Sequence, residues 1–314
     1  MGYISKQQEN ISKKFLSYVS ASAHGKREKK VEVLRNKLIN EVEESRMNIS
    51  GMPSFKTDKA YRDSAVSFMK LYYNVLNEDY SKIVDMEEIA EQSYDAMEAF
   101  LLAQEKVNEK LEQGNERMKL AQKAFAAKNN ITLVDSKGSL DGMMTEVHDL
   151  NVYHHQVYLL FFKPYKQEAY LMEAIEKGNI TGIEQNKNAQ LKYAQEGLEK
   201  LNSIKPFKGD NSMVIACKTM LTFYVKEVND KMSAVSEYFL TKERFEKLKK
   251  EFEKKNSPTK EEVDAYNKGV KDINSASNAF NQNNQLLNQQ RKEALNNWSS
   301  TEKSFFDEHT PHYK

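Results

Sequence analysis

The sequence is poor in the residues that cross-link chains or interrupt helices. Its 314 residues contain one cysteine, Cys217, together with 11 glycines and 5 prolines. A single cysteine excludes an intramolecular disulfide, a cysteine-based zinc site and a CxxCH haem attachment. Because glycine and proline interrupt helices, their scarcity beside 30% charged residues predicts an all-α fold of long helices.

The sequence also lacks an excess of either charge and a long apolar run. Lys and Arg number 47 against 46 Asp and Glu, a net charge of +1, which argues against a nucleic-acid partner. The most apolar stretch, VYHHQVYLLFFKPY at 152–165, contains His, Gln and Lys and is shorter than the roughly 18 residues of a membrane span. The opening MGYISKQQEN has no apolar core, so we expect no signal peptide within these residues.

Motifs for catalysis and for metal binding are missing as well. No histidine follows a carboxylate residue by three positions, as a di-iron helical bundle requires, and no HExxH motif or glycine-rich phosphate loop occurs. His309 and His312 lie beside Asp307 and Glu308, a cluster that could bind a metal ion, but we interpret it as a solvated tail. We therefore predict no catalytic residues, no cofactor and no metal site.

The sequence instead contains an internal repeat. Tyr61 and Met213 begin two similar segments at an offset of 152 residues (213 − 61), and a second match, from Phe100 to Phe280, has an offset of 180 (280 − 100). The apolar positions of the first segment recur every three or four residues, as on a buried helix face. Each has an apolar or aromatic counterpart: Tyr61, Ala65, Phe68, Tyr72, Leu76, Tyr80 and Ile83 correspond to Met213, Cys217, Met220, Tyr224, Val228, Met232 and Val235.

This repeat predicts a tandem duplication of an up-and-down four-helix unit. We expect a first unit at 1–129, a non-helical bridge at 130–142, and a second unit at 143–314 that includes a projecting helical arm near 240–272. The predicted helices lie near 4–24, 27–50, 58–84, 86–129, 143–177, 180–203, 210–255 and 260–309. Capping is expected from Asp58, Asp210, the pair Asp85 and Glu88, and the pair Thr259 and Glu262.

An aromatic segment begins the second predicted unit. It has more large side chains than one helix face can bury, so we expect part of it to contact something beyond its own bundle. We favour the seam between the two copies, and the alternative is a groove for a peptide or glycan. The candidate ligand or partner residues are Tyr153, His154, His155, Tyr158 and Tyr165. We read Cys217 as a small buried residue and Gly114 as a close helix contact.

Three stretches carry a resemblance to a known family. FKTDKAYRDSAVSFMKLYYNVLNEDYSKI, AQKAFAAKNNITL and the closing FFDEHTPHYK resemble helical surface or secreted lipoproteins of unknown function from Bacteroidota and spirochaetes. The resemblance implies an extracytoplasmic location, in the periplasm or at the cell surface. It further implies a signal peptide and a lipidated N-terminal cysteine, neither of which lies in these 314 residues, and it supplies no catalytic residues.

These expectations favour a non-enzymatic interaction or spacer protein of the bacterial cell envelope. Its partner would be a protein, peptide or glycan, and its contact with a membrane would be through a lipid anchor alone. The alternative is a binding protein for a small molecule or short peptide at the seam between the two copies. An enzyme is the third hypothesis, which converging His, Asp or Glu side chains in a cleft would support.

Overall fold

A computed structural model describes residues 1–79, 90–133 and 139–313 of the chain. In chain order the helices are α1 (Gly2–Ala23), α2 (Glu28–Ser50), α3 (Ala60–Asn74), α4 (Tyr94–Lys128), α5 (Ser139–Glu176), α6 (Ile180–Leu201), α7 (Ser212–Lys226), α8 (Met232–Glu253) and α9 (Lys260–His309). A π-helical segment, Val75–Asp79, continues α3, and another, Glu227–Lys231, joins α7 to α8. The described residues contain no β-strand beyond two isolated bridges, which confirms the all-α prediction.

Two predicted helix boundaries are wrong. The helix expected to run without a break over 86–129 has a turn at 91–93, and α4 starts afresh at Tyr94. Ser93 causes this start, because its side chain accepts a hydrogen bond from the Ala96 amide at 3.1 Å and so caps the new helix. The predicted non-helical bridge at 130–142 also ends early, since α5 begins at Ser139.

The predicted helix caps can be checked at three of four places. Asp58 accepts from the Ala60 amide at 2.9 Å, and Asp210 accepts from the Ser212 amide at 2.7 Å. The box of Thr259 and Glu262 is reciprocal, with distances of 2.8 and 3.3 Å. These three predictions are confirmed. The pair of Asp85 and Glu88 lies outside the described residues.

Contacts divide the chain into two compact units. The first unit comprises Met1–His155 with Lys303–Lys314, and the second comprises Gln156–Glu302. These limits follow contacts in space, whereas the predicted limits of 1–129, 130–142 and 143–314 follow the sequence repeat. The repeat-based division stays a prediction.

The first unit is built on neighbouring helices in chain order, with α1 packed on α2, α2 on α3, and α3 on α4. Its core consists of Ile4, Ile11, Leu38, Ile39, Val42, Ile49, Tyr61, Ala65, Met69, Tyr72, Leu76 and Met118. Gly114 lies in α4 where α3 comes closest. A Cβ atom there would be 2.5 Å from Leu71 and 3.1 Å from Phe68, which confirms the predicted close helix contact.

The second unit has its own core, on α5 to α9. One cluster contains Leu171, Ala174, Ile183, Met232, Val235 and Leu287. Cys217 is fully buried, and its thiol lies 3.8 Å from the Val157 carbonyl. Burial raises the pKa of this thiol, so the thiolate needed for nucleophilic chemistry is disfavoured. The interpretation of Cys217 as a core residue is confirmed.

The ends of α8 and the start of α9 form a two-helix arm. No residue between Val235 and Leu287 is buried, and the turn between the helices lies at 254–259. The two helices pair through aromatic rings, since Phe252 stacks on Tyr266 with centroids 4.5 Å apart. Gly269 allows close approach, because a Cβ atom there would be 2.9 Å from Leu248.

Several local backbone features recur at the 152-residue offset. Phe55 bridges Asp58, and Phe207 bridges Asp210 in the same way. Inside these turns the φ angles of Lys56 and Lys208 are 47° and 49°. The two π-helical segments also begin 152 residues apart (227 − 75). The similarity of sequence thus extends to local conformation, while the origin of the chain by duplication stays a prediction.

Candidate functional site

Three of the five predicted surface residues belong to the first unit. Tyr153 is 8% exposed and its ring lies 5.5 Å from that of Phe305. His155 is also 8% exposed, with Nδ1 at 3.5 Å from a Glu105 oxygen, and burial lowers its pKa. The half-buried His154 ring packs edge-on against Phe306 at 4.7 Å. These side chains mostly pack within their own unit.

The other two predicted residues, Tyr158 and Tyr165, belong to the second unit. Tyr158 stacks on Phe162 with ring centroids 5.7 Å apart, and Tyr165 stacks on Phe161 at 5.3 Å. Phe161 in turn stacks on Trp298 at 4.2 Å. Both tyrosines are half-buried members of an aromatic cluster. A ligand surface formed by the five predicted residues stays a prediction.

The C-terminal histidines are not part of a solvated tail, contrary to our interpretation. The His312 ring stacks on His24 of α1 with centroids 3.8 Å apart. His24 Nδ1 lies 2.8 Å from Asp307, and the Tyr313 amide donates to Ser20 at 3.1 Å. Ring stacking and hydrogen bonds therefore hold the last residues against α1.

A groove lies within the first unit, between α1, α3, α4 and the first turns of α5. Its volume is about 1030 Å³. Three nearly fully buried residues form its apolar floor, namely Met69, Tyr72 and Met118. Partly buried Phe15, Phe68 and Leu111 extend this floor. The groove is thus an amphipathic cleft on a single unit.

Carboxamide side chains are the main polar groups of this groove. They are Gln8, Asn108, Asn115, Gln122 and Asn151, contributed by α1, α4 and α5. Gln8 Nε2 lies 3.4 Å from the Met118 sulfur, a weak acceptor. Within the described residues, the other four carboxamides have no hydrogen-bond partner. They are therefore available to a ligand.

The charged residues at the rim of the groove are mostly paired with neighbours on their own helix. Glu9 forms an ion pair with Lys13, and the Glu116 carboxylate lies 3.0 Å from Lys119. Glu9 and Glu116 are exposed, so these pairs contribute little to stability. Because the pairs neutralise much of the rim, the carboxamides and the apolar floor dominate its chemistry.

A second polar site lies in the core of the second unit. Arg291 of α9 donates from Nε to Glu168 of α5 and from Nη2 to Glu227, both at 2.5 Å. Gln190 of α6 donates to the other Glu227 oxygen at 2.9 Å. Arg291 also donates to Asn288 at 2.6 Å. We call Glu168, Gln190, Glu227 and Arg291 the buried polar network.

Burial dominates the electrostatics of this network. The side chains of Glu168 and Glu227 are 4% and 0% exposed, and that of Arg291 is 15% exposed. Burial, reinforced by the charge of Glu227, raises the pKa of Glu168 to about 8 despite the opposing Arg291. The same burial raises the pKa of Tyr224, which faces both carboxyl groups. The site therefore holds a proton at neutral pH.

The π-helical segment of the second unit sets the position of Glu227, its first residue. Such segments often occur at functional positions in helices. The sequence analysis missed Glu168, Gln190, Glu227 and Arg291, because charged and amide residues are normally assigned to the solvent side of a helix. A usable signal existed, since the repeat places apolar Val75 at the position that corresponds to Glu227.

Comparison with known proteins gives no further guide: no protein-family model, no curated protein and no solved structure matches this chain. The resemblance to envelope lipoproteins accordingly stays a prediction. Among the described residues, no helix has an apolar stretch long enough to cross a membrane.

Proposed function

We propose that this protein is a non-enzymatic binding protein, and that the groove of the first unit binds a short peptide. The observation that carries this proposal is the set of carboxamides without protein partners above an apolar floor. A volume of about 1030 Å³ is at the upper end of ordinary ligand sites and gives room for several residues.

The chemistry of the groove favours a peptide with an uncharged backbone-rich surface. A carboxamide offers both a donor and an acceptor, as does each peptide unit of an extended chain. Met69, Met118 and Met144 line the groove, and the flexible methionine side chain adapts to different apolar partners. We therefore expect recognition of the peptide backbone together with one or two apolar side chains.

The distribution of titratable groups supports a binding role over catalysis. Glu168, the carboxyl group with its pKa raised to about 8, lies in the core of the second unit, with a side chain only 4% exposed. Cys217 is equally sealed from solvent. A substrate would not reach either group without opening the bundle.

The proposal is tested by selecting phage-displayed random heptapeptides on the immobilised full chain and measuring their Kd by calorimetry. Thr145 is an exposed residue of α5 that lines the groove, so Thr145→Trp should weaken binding at least about tenfold by filling it. Asp149→Trp is the control, since Asp149 is exposed one turn further along α5 and does not line the groove.

Selection of no peptide above background, or equal binding to both variants, would refute the peptide proposal. The amphipathic dye 8-anilinonaphthalene-1-sulfonate provides a second probe. Dye binding that Thr145→Trp blocks, without any selected peptide, would replace the peptide by a small amphipathic molecule.

A second candidate function is an interaction or spacer role at the cell envelope. It is favoured by the two-helix arm, whose residues between Val235 and Leu287 take no part in the buried core. On this hypothesis the chain arose by duplication of a four-helix unit, as the shared turns and π-helical segments support. Deleting 244–268 should abolish partner capture without lowering the urea midpoint of the remainder.

The location in the periplasm or at the cell surface is proposed from the family resemblance, together with membrane contact through a lipid anchor alone and no nucleic-acid partner. Fractionation of the native host, followed by detection of the protein with an antibody, tests this. Recovery in the cytoplasmic fraction would contradict the proposed location.

A further inference from the structure

The buried polar network draws one residue from each helix around the core of the second unit. Glu168 comes from α5, Gln190 from α6 and Arg291 from α9, and Glu227 comes from the π-helical segment after α7. The network is closed by charge-assisted hydrogen bonds, and water has little access to it. Each helix therefore contributes a group that needs its partners from the other three.

The corresponding positions of the first unit are all apolar. Leu38 and Val75 lie 152 residues before Gln190 and Glu227 (190 − 38 and 227 − 75), and they are 0% and 1% exposed. Leu111 lies 180 residues before Arg291 (291 − 111), and Phe15 lies 153 before Glu168 (168 − 15). Both residues pack against the first core.

The offset of 153 at the first helix follows the local backbone. Gly25 and Gly178 end α1 and α5 with φ angles of 64° and 63°, and they are 153 residues apart (178 − 25). The connection that follows is one residue shorter in the second unit, since α2 and α6 start 152 residues apart (180 − 28). The four matched positions are therefore set by structure as well as by sequence.

We propose that the buried polar network is a pairing device, which makes the helices of the second unit select one another and reject those of the first. The other buried positions of the two units hardly discriminate. Along α2 the buried residues Val42, Ser45 and Ile49 match Ala194, Gly197 and Leu201 along α6 at the same offset. Burial alone would tolerate exchange of such helices during folding.

The network makes each exchange costly. If α2 took the place of α6, Leu38 would stand at the position of Gln190, and Glu227 would lose a donor. If α4 took the place of α9, Leu111 would leave two buried carboxylates without their cation. Uncompensated buried charge is strongly destabilising, so mispaired bundles are rejected.

The same physics separates this role from simple stabilisation. A buried ion pair is often no more stabilising than apolar residues of similar volume, because desolvation offsets the attraction between charges. A network that serves pairing should therefore be replaceable without loss of equilibrium stability, at the expense of correct folding.

The test replaces the network in the full chain by the apolar residues of the first unit, in the variant Glu168→Phe, Gln190→Leu, Glu227→Val and Arg291→Leu. Its urea midpoint, measured on native monomer, should equal or exceed that of the wild type. On rapid dilution from urea, the yield of native monomer should fall at least twofold, measured by size exclusion with light scattering. Reactivity of Cys217, which is buried in the native core, reports the misfolded fraction.

A matched control changes the four positions of the first unit among apolar residues, with Phe15→Leu, Leu38→Met, Val75→Ile and Leu111→Met. Its refolding yield should stay at the wild-type level, which separates loss of the network from repacking. Refolding of the network variant with wild-type yield to a single species would overturn the proposal. So would a clearly lower urea midpoint or failure to obtain folded protein, since either result would make the network a stabilising contact.

Discussion

Val75 and Glu227 each begin a five-residue π-helical segment, and they lie 152 residues apart (227 − 75). Val75 is 1% exposed in an apolar core, whereas Glu227, also 1% exposed, hydrogen-bonds with Arg291 and Gln190. The same backbone feature thus presents an apolar side chain in one unit and a buried carboxyl group in the other. Local conformation and core chemistry vary independently in this chain.

Loss of the cation should be the most damaging single change in the network. Arg291→Met leaves the carboxyl groups of Glu168 and Glu227 buried without their partner, and we expect the free energy of unfolding to fall by about 3–5 kcal/mol. Lys292→Met changes the exposed neighbour on α9 and should shift it by about 0.5 kcal/mol or less. Urea denaturation followed by circular dichroism measures both, and equal effects would contradict the proposed burial of charge.

The stability of the second unit should depend on pH through Glu168. Burial and the charge of Glu227 raise its pKa from 4.5 to about 8, with Arg291 opposing and Tyr224 adjacent. Because the folded state binds the proton more tightly, this stabilisation is complete below pH 4.5 and is lost as the pH rises through about 8. The urea midpoint should fall over this interval.

Glu168→Gln should flatten this pH dependence, because a carboxamide does not titrate. Glu176→Gln, which removes an exposed carboxyl group near the end of the same helix, should leave the slope unchanged. A slope that survives Glu168→Gln would assign the pH dependence to another group.

The two matching turns differ at one strained residue. Thr57 has a φ of 72°, a left-handed conformation that is costly for a β-branched side chain, and Gly209 occupies the corresponding position with a φ of 92°. Thr57→Gly should therefore raise the free energy of unfolding by about 0.5–1 kcal/mol, and Gly209→Thr should lower it by about 1–2 kcal/mol. Thermal and urea unfolding measure both changes, and a loss of stability in Thr57→Gly would show that the turn carries no strain.

Two helical glycines should respond differently to alanine. A Cβ atom at Gly142 of α5 would meet no atom within 4 Å, so Gly142→Ala should stabilise by about 0.5–1 kcal/mol through helix propensity. At Gly114 the same atom would be 2.5 Å from Leu71, so Gly114→Ala should forfeit that gain and cost up to about 3 kcal/mol. Equal urea midpoints for the two variants would contradict the close contact of α3 and α4.

The candidate sites were harder to predict than the helices. Gln8, Asn108 and Asn115 resemble ordinary solvent-facing residues in the sequence, and only the path of α5 beside α1 and α4 places them in a groove. Glu227 likewise follows Tyr224 by three residues on a buried stripe, but its burial depends on Arg291, 64 residues later. Neither arrangement has a local sequence signature.

The sequence by itself determined the helical class, the spacing of the apolar stripes and several caps, including the box of Thr259 and Glu262. These features depend on residues within a turn or two of one another, so periodicity and local hydrogen bonding are sufficient to specify them. Tertiary structure alone decided which polar residues are buried together and which side chains line the groove. Those outcomes depend on contacts between residues far apart in the chain, where desolvation and partner geometry, rather than local propensity, set the free energy.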